Sequence, residues 1–483
     1  MQILLTTLLA LAAPQDEAPR AGTAGLGDRY YPLLGNGGYD ALHYDVHLDV
    51  DMEADTFAAE LVLTATATHA LSAFHLDFLG PEVGVVEVDA QPATFAREEG
   101  ELIITPPAPI AEGAEFRVRV TYAGEPQAVK DPGVPFVPGG IGWMRRKSGV
   151  YVMSEPSGTR GWVPCNDYPT DKATWSIAIT VDEPWVAAAN GLLVDESEKD
   201  GRTTYAFHAS DPMASYLATV CIGEFDVEVS EGPGGLPLRH YFYKEKDEKK
   251  RARARKAFAA TGEMLEHFSE LFGPYPFECY GGVLARDQLG GALETQTLPV
   301  YSRGTSESTV AHELAHQWFG NHVSPANWEE LWLNEGFATY AEWLWQEHKG
   351  GAEALAKRTK MTYSMLHRAE VGPPGDTGPQ IFGMSVYMRG AWALHALRLE
   401  IGDEAFFKTL RAWNERYADS VGTTPQLRAI AEEMSGAELE AFFQAWIYGE
   451  AVPQVEPFEE ERRARDAERE AEKARKAEER GDD

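Results

Sequence analysis

The sequence HELAH, which places histidines at His312 and His316, restricts the fold of this chain more than any other feature. Side chains four positions apart lie one above the other on a helix face, so both imidazoles can reach one ion. Glu313 lies between them and can reach a water beside that ion without binding the ion itself. The HExxH pattern is typical of zinc hydrolases, but the bare pattern is only a hypothesis.

A third metal ligand has to come from elsewhere, because a catalytic zinc site uses three protein ligands and keeps a fourth position open. Glu335, which eighteen residues separate from His316, is the candidate. The residues between them allow a helix end, the loop VSPANW and a return helix, EELWLNEGFATYAEWL. The sequence therefore predicts one Zn²⁺ per chain. The alternative is two core histidines with Glu335 in a surface ion pair.

Three other histidines are not expected to bind this metal. His322 lies off the ligand face and is predicted to be a loop residue, while His43 and His47 lie on the polar face of a predicted strand. The chain also has three cysteines without a CxxC spacing. This predicts buried thiols, and neither a disulfide framework nor a cysteine zinc site.

The net charge of −33 limits the possible partners of the chain. Binding of nucleic acid needs clustered Lys and Arg, so we expect no nucleic-acid partner. An acidic field attracts cations instead, including the α-ammonium groups of peptides.

The N-terminus is predicted to direct export. An apolar stretch from Ile3 to Ala13 ends in small residues and resembles a secretory signal peptide, although no Lys or Arg precedes it. We assign residues 1–20 to this signal and the start of a flexible lead-in, and we expect a periplasmic or extracellular protein. The alternative is a cytoplasmic protein with an uncleaved apolar tail. No segment approaches ~20 continuous apolar residues, so no stable membrane anchor is expected.

Residues 39–229 are predicted to form a β-domain of sandwich type. In ALHYDVHLDVD, four apolar side chains share one face and polar residues share the other, as in a half-buried strand. The four are Tyr44, Val46, Leu48 and Val50. Segments with the same period follow, separated by Gly, Pro, Asp and Asn.

The hydrophobic period changes after SEGPGGLP, residues 230–237, which is predicted to be the linker between two domains. Residues 237–455 are predicted to form the second domain, in which most segments from residue 308 onward have helical periodicity. The run KEKDEKKRARARK is predicted to be the solvated face of a helix start. Residues 456–483 are predicted to form a charged helical or disordered tail, because alanine is the only apolar residue type from residue 459 onward.

The region from Tyr39 to Pro453 resembles the zinc aminopeptidases of the aminopeptidase N and leukotriene hydrolase family. Four motifs carry this resemblance in the family's order. They are EPSGTRGWVPCNDYPTDKA, similar to E-x-x-x-A-R-x-x-x-P-C-x-D-x-P-x-x-K-A; GALET, similar to G-x-M-E-N; HELAH with WLNEGFA; and YMRG, similar to Y-x-K-G. The resemblance implies an α+β multidomain protein, with an N-terminal β-sandwich-like domain followed by a mainly helical, thermolysin-like zinc peptidase domain.

The resemblance also implies the roles of the catalytic residues. His312, His316 and Glu335 match the family's zinc ligands. Glu313 matches the general base that takes a proton from the attacking water. Tyr387 matches the tyrosine that stabilises the tetrahedral intermediate.

The substrate-binding residues follow from the same resemblance. Glu294 matches the glutamate that binds the free α-amine, within a segment that also includes Gly291, Ala292 and Leu293. An upstream glutamate, matching Glu155, assists it. Because both carboxylates bind the α-ammonium, only the first peptide bond reaches the metal.

Several residues depart from the family pattern. Leu293 replaces a methionine, and Thr295 replaces an asparagine. Met153 stands where many relatives have glutamine, and Arg389 stands for the lysine of Y-x-K-G. Most relatives also carry a long helical domain after the catalytic domain, so this chain looks like a two-domain version.

The resemblance implies a zinc-dependent aminopeptidase whose partners are peptides with a free N-terminus. A zinc endopeptidase is one alternative, because a missing closing domain would open the cleft, but the intact Glu294 argues against it. A catalytically inactive peptide-binding homologue is another, although no zinc ligand and no base is lost. Epoxide hydrolysis, as in the leukotriene hydrolases, has no specific support in the sequence.

Overall fold

The structure is a computed structural model that describes residues 18–456, 458–460, 462–464, 467, 472 and 475. The predicted signal sequence, residues 3–13, lies outside these residues, as does most of the predicted tail. No helix in the described part of the chain combines the length and the apolar character that crossing a bilayer requires. The predicted fold class is confirmed, because a region of sheets precedes a mainly helical region.

Within the described residues, sixteen strands precede the second domain. They are β1 (Arg20–Ala21), β2 (Tyr39–Asp51), β3 (Thr56–Ala67), β4 (Leu71–Asp77), β5 (Glu82–Val88), β6 (Gln91–Pro92), β7 (Thr94–Glu98), β8 (Glu101–Thr105), β9 (Glu115–Gly124), β10 (Gly142–Arg146), β11 (Gly149–Met153), β12 (Ala173–Asp182), β13 (Val186–Ala189), β14 (Leu192–Lys199), β15 (Arg202–Met213) and β16 (Val220–Gly223).

The main sheet of the first domain has eight strands in the order β14-β15-β12-β2-β3-β9-β5-β6. Strand β2 pairs antiparallel with β3 and parallel with β12, in a register that sets Val46 opposite Leu61 and Ile177. The alternation in β2 turns its apolar side chains inward, where Val46 and Leu48 are buried. Each such side chain contributes about 1.5–3 kcal/mol on burial. Two four-stranded sheets, β1-β4-β8-β7 and β10-β11-β16-β13, complete the domain.

The second domain contains the remaining strands and most of the α-helices of the described residues, while residues 458–460 and 462–464 of the predicted tail are helical as well. The strands are β17 (Phe225–Glu231), β18 (Pro237–Tyr243), β19 (Tyr280–Leu284), β20 (Ala292–Leu293), β21 (Val300–Tyr301), β22 (Val323–Pro325) and β23 (Ser420–Gly422). The helices are α1 (Glu248–Lys256), α2 (Thr261–Phe272), α3 (Glu307–Ala315), α4 (Trp332–Ala369), α5 (Gly390–Arg416), α6 (Thr424–Ser435) and α7 (Glu440–Phe443), with π-helical turns at Ser385–Arg389 and Gln444–Tyr448.

The predicted interdomain linker is a hairpin turn. Strand β17 pairs antiparallel with β18, and residues 232–236 close the turn between them. Both strands belong to the five-stranded sheet β17-β18-β19-β21-β20. The prediction was wrong because Gly and Pro mark hairpin turns as readily as linkers. The change of sheet occurs between β16 and β17, at Glu224, and not at residues 230–237.

The two helices before the zinc motif have contrasting surfaces. Helix α2 buries Leu265, Phe268 and Phe272 and is followed by Gly273, its C-cap, and then by a proline. Helix α1 buries no residue, as expected for the solvated charged run.

Both ends of the described chain pack against the domains. Arg20–Ala21 pairs with β4, and the Tyr31 hydroxyl donates to Asp131 at 2.8 Å, so these residues are not the flexible lead-in that was predicted. At the other end, the ring of Phe458 lies 5.1 Å from that of Trp392. Glu459 is fully buried, and its carboxylate accepts a hydrogen bond from the Tyr363 hydroxyl. The tail prediction missed this burial because it considered only apolar side chains, whereas a hydrogen-bonded carboxylate can be buried too.

Candidate active site

Helix α3 and the start of α4 carry the three predicted metal ligands. Ser306 caps the N-terminus of α3 by accepting a hydrogen bond from the Thr309 backbone amide at 3.1 Å. His312 lies inside this helix, and His316 follows its last residue. Because α4 packs directly on α3, Glu335 in the first turn of α4 reaches both rings.

The three ligand atoms converge on one point. One carboxylate oxygen of Glu335 lies 3.1 Å from His312 Nε2 and 3.4 Å from His316 Nε2. Ligands at about 2.0–2.2 Å in a tetrahedral zinc site lie about 3.3 Å from one another. The spacing of two nitrogens and one oxygen therefore fits Zn²⁺.

The second nitrogen of each imidazole has its own partner. His312 Nδ1 lies 2.9 Å from Glu342, whose other oxygen accepts from the Ser308 hydroxyl at 2.6 Å. His316 Nδ1 lies 3.0 Å from the Phe319 carbonyl. Such partners orient metal-binding histidines and direct Nε2 toward the ion. Sequence reasoning missed Glu342, although it follows Glu335 by seven positions, two helical turns, on the same face of α4.

A second group of donor atoms overlaps the first. Glu294, Glu313 and His316 each have an atom within 4.8 Å of the others. We favour the set of His312, His316 and Glu335, because the 3.1 and 3.4 Å distances from Glu335 to the two rings match a zinc site and both rings are oriented by further hydrogen bonds. This leaves Glu294 and Glu313 as unligated carboxylates beside the metal site.

Glu313 and Tyr387 both line the cavity that contains this metal site. Burial raises the pKa of Glu313 to about 8, while His312 and His316 act in the opposite direction. The Tyr387 hydroxyl donates to the second oxygen of Glu335 at 2.7 Å. Burial, reinforced by Glu335, raises the pKa of Tyr387, so its hydroxyl keeps its proton. Tyr387, which was predicted to donate to an oxyanion, therefore has its donor hydroxyl beside the predicted metal ligands.

The two predicted amine-binding glutamates meet although they come from different domains. The Asn334 amide donates to Glu294 at 2.9 Å and to Glu155 at 3.4 Å. Glu155 is 5% exposed and Glu294 is 2% exposed. Burial, with Glu294 nearby, raises the pKa of Glu155 well above its ordinary value. Two buried carboxyl groups that share one amide donor repel each other when both are ionised, so a cation bound between them stabilises the ionised pair.

The loop after α3 holds Glu294 in place. The Glu294 backbone carbonyl accepts from the side-chain amide of Asn321 at 2.7 Å and from that of Gln317 at 3.2 Å. Between these residues, Gly320 has φ +118°, and a Cβ there would lie 2.0 Å from Asn334 Oδ1. Asn334 precedes a ligand in the sequence, but nothing in the sequence showed that it bridges the two carboxylates.

The remaining predicted substrate-binding residues line the same cavity. It encloses about 330 Å³, and Gly291, Ala292 and Leu293 form one edge of it. Met153, which departs from the family pattern, also lines this cavity. Thr295 is fully buried and does not line it, and its hydroxyl donates to the Leu298 carbonyl at 2.6 Å.

The departure at Arg389 has a structural explanation. Arg389 is fully buried and donates to backbone carbonyls at the end of the second domain, including that of Trp446 at 3.1 Å. Its neighbour Gly390 contacts Gly336 of α4, where a Cβ would lie 3.1 Å from the Gly390 backbone. This close approach positions the π-helical turn that carries Tyr387.

Two family models match the chain. The model of the peptidase M1 N-terminal domain matches residues 40–217, and that of the peptidase family M1 domain matches residues 257–446. The first match ends before Glu224, where the chain passes to the sheet of the second domain, and the second match begins after it.

Known proteins with similar sequences and structures include both long and short relatives. Aminopeptidase M1 of Arabidopsis thaliana is 28% identical over 64% of this chain and 38% of its own length. Human glutamyl aminopeptidase is 30% identical over 62% of this chain and 34% of its own length. The chain therefore spans well under half of the length of each of these two relatives.

Solved structures are matched over almost their whole length. The M1 zinc metallopeptidase from Deinococcus radiodurans is 34% identical, with a TM-score of 0.82, over 89% of this chain and 99% of its own. A mutant M1 zinc metallopeptidase from the same organism, bound to a Tyr-Ser-Ala substrate, has a TM-score of 0.83 at 34% identity.

Proposed function

The chain belongs to peptidase family M1, and on this premise we propose that it is a zinc-dependent aminopeptidase that removes the N-terminal residue from peptides. The observation that carries the proposal is the position of the Glu155–Glu294 pair beside the donors of His312, His316 and Glu335 in one cavity. A cation site next to a peptidase metal site is what recognition of a substrate's α-ammonium requires.

Each side chain has a defined part in the proposed hydrolysis. Zn²⁺ held by His312, His316 and Glu335 would supply a Lewis acid at the scissile carbonyl. Glu313 takes a proton from the attacking water and passes it to the leaving amine. The Tyr387 hydroxyl donates to the oxyanion of the tetrahedral intermediate.

The amine-binding carboxylates determine which bond is cleaved. Glu294 lies near both Glu313 and His316, with atoms of all three within 4.8 Å. A substrate ammonium bound at Glu294 and Glu155 therefore leaves room for one residue before the metal site. Internal peptide bonds lack this ammonium and are poorly positioned, so exopeptidase action is favoured over the endopeptidase alternative.

The proposal is tested with one peptide in two forms, with a free and with an acetylated N-terminus. We expect release of the N-terminal residue from the free form only, loss of this activity with a chelator, and its return with added zinc. Glu313→Gln, which keeps every zinc ligand, is the matched inactive control. Release of internal fragments from both forms at similar rates would favour an endopeptidase instead.

A further inference from the structure

A cationic groove lies outside the active site of this strongly acidic chain. A cavity of about 710 Å³ is lined by five basic side chains: Lys250, Arg253, Lys256, Arg286 and Arg303. A neighbouring cavity of about 980 Å³ shares Arg286 and Arg303. We propose that this cationic groove binds carboxylates in the distal, C-terminal part of a peptide substrate, an inference that rests on the proposed aminopeptidase function.

The basic side chains of the groove are available for a ligand. In the described part of the chain, none of the five has a carboxylate within ion-pair distance, whereas the nearby Arg255 pairs with Asp226 and Glu228. The groove also contains two glutamates. Glu307 accepts from the Trp345 indole at 3.0 Å, and Glu245 accepts from a backbone amide and acts on Lys250 and Arg286 only at longer range.

One wall of the active site leads from the amine-binding carboxylates to the groove along α3. His316, just beyond the C-terminal end of this helix, lies beside Glu294. Thr309, near the N-terminal end, lines the active-site cavity. Ser306, the N-cap one turn earlier, lines the cationic groove.

A second wall follows the same direction along β20. From Glu294 the chain runs back through Ala292–Leu293 to Gly291, which lines the active site. The Gly291 carbonyl accepts from the Ser302 hydroxyl and backbone amide. Ser302 immediately precedes Arg303 of the groove. A peptide whose N-terminus lies at Glu294 and which extends away from it is thus directed toward Arg303.

The length of this path sets the substrate position that the groove contacts. Ser306 and His316 are ten positions apart, which corresponds to about 15 Å at a rise of 1.5 Å per residue. An extended peptide covers about 3.3 Å per residue, so the groove faces roughly the fifth and sixth residues. The positive N-terminal end of α3 points the same way and favours an anion there.

The charge of the whole chain makes this contact selective. Most of the surface repels an acidic peptide, because the net charge is −33. The carboxylates of such a peptide are stabilised at the groove, while its α-ammonium is stabilised at Glu155 and Glu294. The preferred substrates are therefore peptides of about six residues with a basic N-terminal amine and acidic distal residues.

The test compares hexapeptides that differ only at the distal end. The acidic peptide is Leu-Ala-Ala-Ala-Glu-Glu, and the neutral one is Leu-Ala-Ala-Ala-Gln-Gln with an amidated C-terminus. We expect kcat/KM on the order of tenfold higher for the acidic peptide at low ionic strength, with the ratio falling as salt is added. A leucine amide substrate, which is too short to reach the groove, measures the basal reaction.

The double variant Arg286→Gln/Arg303→Gln should remove most of the preference and leave turnover of the leucine amide unchanged. Both side chains are exposed, so the fold should be retained, which thermal unfolding verifies. Arg117→Gln, at an exposed arginine of β9 that lines neither cavity, is the matched control and should keep the preference.

Equal kcat/KM for the two hexapeptides, together with turnover of the leucine amide, overturns the inference and leaves the proposed function standing. A preference that survives in the double variant also overturns it. If the zinc-loaded chain does not hydrolyse the leucine amide, the proposed function fails instead. The groove is then judged by fluorescence anisotropy with labelled peptides and the Glu313→Gln variant: tighter binding of the acidic peptide supports the groove, and equal affinity refutes it.

Discussion

The predicted metal site and the proposed amine-binding site share one cavity but are built in different ways. The predicted metal ligands His312, His316 and Glu335 lie within 24 positions of one another, at the end of α3 and the start of α4, which are joined by residues 316–331 with the short strand β22. The amine-binding site joins Glu155 of the first domain to Asn334 of the second, which are 179 positions apart. The first site therefore depends on helix geometry, and the second depends on how two domains pack.

Interdomain hydrogen bonds support the amine-binding site. The ammonium of Lys172, from the first domain, donates to the carbonyls of Asn321 at 2.7 Å and His322 at 2.9 Å. Asn321 in turn fixes the Glu294 backbone. Burial lowers the pKa of Lys172 to about 7. Because the two sites depend on different contacts, a substitution at one site should change its function and leave the other site intact.

The largest effect is expected at the metal site itself. Glu335→Ala leaves two ligands, so zinc should be retained poorly and activity should fall to background. Metal analysis after dialysis, beside a peptide assay, measures both quantities. Full zinc occupancy in this variant would show that Glu335 is not a ligand.

Glu313→Gln should separate metal binding from catalysis. The variant should fold and keep its zinc, but lose on the order of 10²–10⁴-fold in kcat, because the base is removed and no ligand is lost. Turnover close to that of the unaltered chain would assign the base to another residue.

Tyr387→Phe should reduce kcat by about 10²–10³-fold, because one donor to the oxyanion is lost. KM should change little, since the hydroxyl acts mainly in the transition state. The hydroxyl also contacts Glu335, so zinc content is measured as the control. A large rise in KM with constant kcat would contradict the assigned role.

Glu294→Ala tests the amine-binding site alone. Loss of a charge-assisted contact worth ~1.5–3 kcal/mol should lower kcat/KM for free peptides by roughly one to two decades. Zinc content should not change, and the gap between free and N-acetylated peptides should narrow. If the acetylated peptide remains as poor relative to the free one as before, Glu294 does not bind the α-amine.

The smallest effect is expected from Lys172→Met, which removes an interdomain donor. Two buried carbonyls lose their partner, so the free energy of unfolding should fall by about 1–3 kcal/mol. We expect a less than tenfold fall in kcat/KM and unchanged zinc content. Lys408→Met, at an exposed lysine on α5, is the control. A loss of zinc in the Lys172 variant would mean that the two sites are not separable in this way.

Much of the fold and the metal site could be predicted from the sequence, because both depend on local periodicity. The alternation in β2 and the four-residue spacing of His312 and His316 each place side chains on one face without reference to distant residues. The segment at residues 230–237 was mistaken for a linker because strand pairing, unlike a helix face, is decided by a partner elsewhere in the chain. Glu342 and Asn334 were missed because their partners lie on other elements.

The sequence by itself determined that His312 and His316 share one helix face, since the helical period fixes the relative directions of residues so close in the chain, and it offered Glu335 as the candidate third donor. Only the tertiary structure decided that Asn334 bridges Glu155 and Glu294, and that Arg389 holds the end of the second domain by its backbone carbonyls. Hydrogen bonds between remote segments form only when the cores of both domains bring those segments within about 3 Å. Their partners therefore leave no periodic signal in the sequence.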